Sequence, residues 1–322
     1  MSHQIESMMF VGEKPWHNLG TELPLHVSAV ESLQPAGLDW AVELKSVYAQ
    51  LTNIEYAQAE GFRAVVRTSD NSVLGVVGDR YSPLQNKEVA EMADIIAGEG
   101  KARVETAGSL DNGKKVWFLV LLPGEIIVKK DISEIQKYLL LTSSHDGSGT
   151  YRLLFTPTRV VCANTLKFAL QGKNDEGISI RHTKHAHIKM ETAKNSINRA
   201  LDFYSRFEIL ANVMVETPFN DNQMDQLVED LFPCKDNEMA TRTKNNRDKL
   251  ASLFNLGAGH EHIAGTAWGA LNAVVEFVDH HRGTRVTEGK NESEQKLNSI
   301  WFGSGSLFKQ AAFDKICGMA CL

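Results

Sequence analysis

The chain of 322 residues is poor in cysteine: Cys162, Cys234, Cys317 and Cys321 are all it has. Four thiols over that length do not make a disulfide framework, so the sequence reads as one adapted to a reducing compartment, the cytoplasm. Cys317 and Cys321 lie four residues apart but have no further ligands nearby to close a zinc site. There is no apolar run near the roughly 18–20 residues a bilayer requires, and no membrane partner is expected. The opening Met1-Ser2-His3-Gln4-Ile5-Glu6 has neither the basic nor the apolar region of a secretory leader. Positive charge is also short, with 34 Lys and Arg against 40 Asp and Glu, a net charge of −6. That balance excludes a protein that coats nucleic acid with its whole surface, but not one with a confined basic groove. What remains is a globular composition, 43% hydrophobic and 23% charged, in a chain long enough for two domains.

Residues 1–40 read as irregular, punctuated by Pro15-Trp16-His17-Asn18-Leu19-Gly20, Pro24, Pro35 and Gly37. Alternation then predicts strands over 40–48, 62–68 and 73–77, the last two joined by the turn former Asp70-Asn71. A helix follows over 86–96, with Val89, Met92, Ala93 and Ile96 on one face. Strands at 102–109 and 115–122 flank Asn112-Gly113, and strands at 138–143 and 150–155 flank His145-Asp146-Gly147-Ser148-Gly149. A second helix is expected from near Val161 to Gly172. The fold class is therefore α+β: an antiparallel sheet with β-β-β-α units and packed helices, followed by an all-helical C-terminal module. The helical patterns fall at 190–215, 221–231, 239–254, 263–281 and 292–300, with one more helix after Gly303. The expected division is a core domain over 1–185 and a helical domain over 186–322.

Catalytic motifs are scarce. Gly108-Ser109-Leu110-Asp111-Asn112-Gly113-Lys114-Lys115 nearly fits a phosphate-binding loop, but Lys115 stands where the Mg²⁺-binding hydroxyl belongs, and two strands flank it. His182, His185 and His187 are clustered without recognised ligand spacing, and His260-Glu261-His262 has its second histidine too early for a zinc helix. Cys162 reads as a buried, inert thiol. No catalytic residue, metal site or cofactor is expected.

Charge is segregated instead. Residues 1–60 carry two basic and eight acidic side chains, residues 152–199 nine against three, and residues 200–240 two against nine. The basic segment would track a phosphate backbone, or equally pair with the acidic segments inside the fold or between subunits. Tyr151 and Phe155 interleave with Arg152, the combination that sequence-tolerant binding of single strands uses.

Three phrases carry a resemblance: Ile5-Glu6 with Pro15-Trp16-His17-Asn18-Leu19-Gly20, Val77-Gly78-Asp79-Arg80-Tyr81-Ser82-Pro83-Leu84-Gln85, and Phe155-Thr156-Pro157-Thr158-Arg159-Val160-Val161-Cys162-Ala163-Asn164-Thr165-Leu166. Together they resemble the uncharacterised phage/plasmid-like protein family of mobile elements, for which no catalytic residues are established. The order of elements is similar to the core of single-strand annealing recombinases of the Redβ/RecT/Rad-fifty-two type. That second resemblance implies single-stranded DNA in a basic groove of a homo-oligomeric ring or helical filament, without ATP. The expected function is thus single-stranded DNA binding and annealing in the cytoplasm of a host cell. Arg152, Arg159 and Lys167 would engage phosphates, with Arg80, Arg181 and Lys184 in support and Tyr81 and Tyr151 as stacking platforms. The rival readings are a metal-dependent nuclease or phosphohydrolase using His145 and Asp146 or the His182–His187 cluster, and a non-catalytic protein that binds a host protein.

Overall fold

A computed structural model describes residues 8–11, 20–23, 27–100, 102–159, 164–165, 177–180, 189–233, 241–283 and 292–322. Eleven strands and seven α-helices occur among them. Strands β1 (Met8–Val11), β2 (Thr21–Leu23), β6 (Arg103–Leu110), β7 (Lys115–Ile126), β8 (Ile135–Ser144), β9 (Tyr151–Arg159), β10 (Asn164–Thr165) and β11 (Gly177–Ile180) make one sheet. Its order is β10-β9-β8-β7-β6-β1-β2, with β11 also on β9. Strands β3 (Val42–Gln50), β4 (Tyr56–Arg67) and β5 (Val73–Gly78) make a second, three-stranded sheet.

The α+β architecture is as the hydrophobic periods imply, with departures at both ends of the large sheet. Residues 8–11 are a strand where irregular chain is expected. Met8-Met9-Phe10-Val11 is buried on both faces, so it has no alternation, and its partner β6 lies almost a hundred residues away. Because β1 pairs with β2 in parallel, the sheet is mixed, whereas a purely antiparallel one is expected. Asn164 and Thr165, expected in a helix, pair as strand β10 with Arg159 and Thr158. The rest of that expected helix lies outside the described residues.

Helix α1 (Asn86–Gly100) buries Val89, Ala90, Met92, Ala93 and Ile96 against the sheet. Helix α2 (Lys189–Glu216) packs beside it. Phe155 of β9, Phe203 and Phe207 of α2, and Trp268 of α5 (Ala267–Glu276) form a row of rings 5.0–6.2 Å apart. The buried apolar cluster therefore runs without a break from the sheet into the helices. Tyr204 also reaches into the β8–β9 ladder: its hydroxyl accepts from Thr156 N at 3.1 Å and donates to Tyr138 O, a pair in register. Two further helices, α3 (Asp221–Leu231) and α4 (Thr241–Leu256), precede α5, and a π-helical turn (Phe277–His281) continues it. Helices α6 (Glu292–Phe302) and α7 (Ser304–Ala320) close the chain. Trp301 of α6 meets Trp117 of β7 edge-on at 5.7 Å, covering part of the sheet's other face. Among the described residues no helix is long and apolar enough to cross a membrane.

Candidate functional site

Two turns that the sequence separates meet in space. The end of β5 continues into Gly78-Asp79-Arg80-Tyr81, and β8 continues into His145-Asp146-Gly147-Ser148-Gly149. Between them lies an open cleft of about 780 Å³ lined by Gly61, Val76, Val77, Gly78, Asp79, Arg80, Tyr81, Gly147, Gly149 and Thr150.

Close approach of backbones builds the cleft, and two glycines permit it. A Cβ at Gly75 would sit 2.6 Å from Asp146 Cα. Gly147 has φ +77°, and a Cβ there would sit 2.8 Å from a methyl carbon of Val77. Any side chain at either position would lift the turn off β5.

Polar anchors hold the turn from below. His145 is fully buried and its Nε2 lies 2.8 Å from Asn86 Oδ1. The Asn86 amide nitrogen donates to Leu38 O (3.1 Å) and Trp40 O (3.3 Å), so its oxygen is the acceptor and His145 Nε2 carries the proton. Trp40 packs edge-on to the imidazole at 5.3 Å, and Arg67 sits over Trp40 at 5.3 Å. The Tyr81 hydroxyl donates to Ser144 O at 2.9 Å. Burial, and then the nearby Asp146 charge, push that hydroxyl's pKa well above the ordinary phenol range. Asp146 spends its carboxylate on its own turn, accepting from Ser144 Oγ (2.5 Å) and Ser148 N (2.9 Å). Partial burial would raise its pKa, but the hydrogen bonds from Ser144 and Ser148 prevail and hold it low.

This arrangement corrects the hydrolase reading of His145 and Asp146. The imidazole faces Asn86 and Trp40 in the core, and the carboxylate is a turn cap. Among the described residues, no group of three or more His, Cys, Asp or Glu is placed to hold a metal ion. The His182–His187 cluster lies outside them.

The expected DNA-contacting residues divide into those the fold gathers at the cleft and those it does not. Arg80 is exposed in the cleft wall, beside the half-buried ring of Tyr81. Arg152 is exposed on β9, and its Nε donates to the hydroxyl of cleft-lining Thr150 at 3.4 Å. Asp79 faces Arg63 at 3.7 Å. Arg159 ends β9, roughly 23 Å from Arg152 at strand rise, and so lies away from the cleft. Lys167, Arg181 and Lys184 lie outside the described residues. Tyr151 corrects another expectation. It shares a face with Leu153 and Phe155, but that face is the core face, and the ring is 3% exposed. It is not a stacking platform.

Sequence reasoning missed Gly61, Thr150 and Arg63 at the cleft, and Asn86 beneath it. Asn86 directly follows the phrase that ends at Gln85, the one signal that pointed near it.

Compared with known proteins, residues 73–301 match the family described as Domain of unknown function (DUF932). That span holds the whole cleft except Gly61. No curated protein and no solved structure matches.

Proposed function

The chain belongs to the DUF932 family, and from the cleft's geometry we propose that it binds single-stranded DNA and anneals complementary strands without ATP, as a homo-oligomer in the cytoplasm of a cell that carries a phage or plasmid. The observation that carries this reading is the pairing of Arg80 in the wall with Arg152 at the rim of one glycine-lined cleft. Phosphates need cations and room for close approach, and the glycines supply the room. Tyr81 adds a ring held in place by its bond to Ser144, so a base stacking on it orders no further side chain. The three phrases quoted above, which resemble those of mobile-element proteins, supply the annealing context.

The test is a titration of fluorescent single-stranded oligonucleotide at several salt concentrations, followed by mixing with its complement. The wild-type protein binds and accelerates annealing with no nucleotide added. Arg80→Ala and Arg152→Ala each weaken binding and flatten the salt dependence by about 0.7 log units per lost phosphate contact. Absence of binding at low salt, or variants with wild-type slopes, would overturn the reading.

A further inference from the structure

One face of the three-stranded sheet exposes the apolar side chains of Phe62, Val73 and Val76, while Ala64 and Val66 on the same face are buried. Register places Phe62, Ala64 and Val66 of β4 opposite Gly78, Val76 and Val73 of β5, and Ala64 and Val66 opposite Lys45 and Glu43 of β3. Cross-strand partners project to the same side, so these residues share a face. A register shift at Val65/Val66 explains why Val73 and Val76, three apart in sequence, both belong to it. Phe62 is 53% exposed, Val76 53% and Val73 60%. Beyond a second register shift the hairpin projects as two strands, with Tyr48 and Tyr56 on one side and Leu51 and Ile54 in the turn. Ile54 is 87% exposed. The opposite face is ordinary core, with Val42, Val65 and Val77 buried.

We propose that this face and the hairpin tip form the contact between copies of this chain. Exposure is the first argument. Seven large apolar side chains, Tyr48, Leu51, Ile54, Tyr56, Phe62, Val73 and Val76, are each more than half exposed on this sheet and its hairpin, a concentration that marks an interaction surface. Charge is the second. Glu43 and Lys45 lie side by side at 3.8 Å, and a two-fold contact sets the acid of one copy near the base of the other. In the projecting part of the hairpin, residues 48–60, Glu55 and Glu60 are the only charges, which disfavours a nucleic acid there. The third is the open edge: β3 borders the sheet, and among the described residues the one side chain that caps it is that of Gln85, at its first residue. The inference names the surface for the homo-oligomer proposed above and does not depend on DNA binding.

Light scattering and sedimentation velocity on the full chain at micromolar concentration test it. The wild type runs as a dimer or larger. Ile54→Lys and Val73→Lys, each at an exposed position outside the cleft, weaken association about tenfold or more while circular dichroism stays native. Ile209→Lys, on an exposed part of α2, leaves the assembly unchanged. Ile54→Ser, in the turn, serves as a milder variant should a lysine disturb folding. A monomeric wild type, or an oligomer indifferent to these changes, overturns the inference. Self-association through this face without any DNA binding would support the inference and remove the DNA reading.

Discussion

Gln85 binds Val42 with both ends of its side-chain amide: Val42 N donates to Oε1 at 2.9 Å, and Nε2 donates to Val42 O at 3.0 Å. The pair imitates one rung of a β ladder, made by a side chain against an edge strand. It explains Gln85 without any ligand, as the Ser144 and His145 contacts do for Tyr81 and Asn86. The phrase from Val77 to Gln85 is thus largely a junction joining β3, the turn after β8 and α1, with Asp79 and Arg80 as its solvent-facing side chains.

Gln85→Ala removes both bonds, and the expected loss is about 1–2 kcal/mol in urea unfolding. Gln85→Glu keeps the acceptor for Val42 N but sets a carboxylate against Val42 O. It should be at least as destabilising at neutral pH and recover part of the loss on acidification. Equal stability of all three proteins would show that the clamp contributes nothing.

The burial of Tyr151 sets up a sharper comparison. Its hydroxyl is buried, and no hydrogen-bond partner for it occurs among the described residues. Burial pushes its pKa up. Tyr151→Phe deletes a polar atom that gains nothing from the fold, so stability should hold or rise by up to about 1 kcal/mol. Single-strand binding should match the wild type. A large loss of binding in a stably folded Tyr151→Phe protein would restore this residue to the site.

How far the sequence reached is visible in that residue. Period-two alternation assigns Tyr151, Leu153 and Phe155 to one face of a strand, but it cannot say whether helices cover that face. The helices that cover it, α2 and α5, come later in the chain. The same limit hid the cleft. Gly78-Asp79-Arg80-Tyr81 and Asp146-Gly147-Ser148-Gly149 are each legible as turns, while their meeting depends on Gly75 admitting the Asp146 backbone. Strand β4 was legible only from Phe62 onward, because Gln58, Glu60 and Gly61 break the alternation in the part that stands in solvent. Helices were read more completely, since α3 and α6 keep an apolar stripe along their own sequence.

Acid should loosen the β4–β5 turn. Arg67 Nε and Nη2 donate to the two Asp70 oxygens at 3.0 and 2.6 Å, and Ser72 donates through its backbone and hydroxyl. The Arg67 hydrogen bond first, then those from Ser72, hold the carboxyl well below the usual carboxylate range. A folded-state pKa below the unfolded one means the contribution is complete above the ordinary value, about 3.9, and is lost progressively below it as the pH falls toward and through the depressed folded value. Asp70→Asn should therefore be less stable than the wild type at neutral pH, with the gap closing in acid. A gap that is constant from neutral pH to below about 3 would exclude this carboxylate as its source.

In the helical half, Lys309 and Asp279 form an ion pair of 2.6 Å whose side chains are 0% and 3% exposed. Asp279 stands on the π-helical turn, and Lys296 donates to Val278 O (2.7 Å) and Arg282 O (2.5 Å) at the same place. Burial holds the Lys309 ammonium below its ordinary pKa even against the attraction of Asp279, so solvation is lost on a scale comparable to the pairing. Lys309→Met removes the cation in direct contact with a buried carboxylate, and about 3–5 kcal/mol of stability should go with it. Lys309→Met with Asp279→Leu removes both charges and should recover most of that loss. Recovery would mean the pair specifies where the turn packs more than it stabilises the fold. A double variant as unstable as the single one would mean instead that the turn's geometry itself depends on the two charges, and its far-ultraviolet spectrum should then show lost helix.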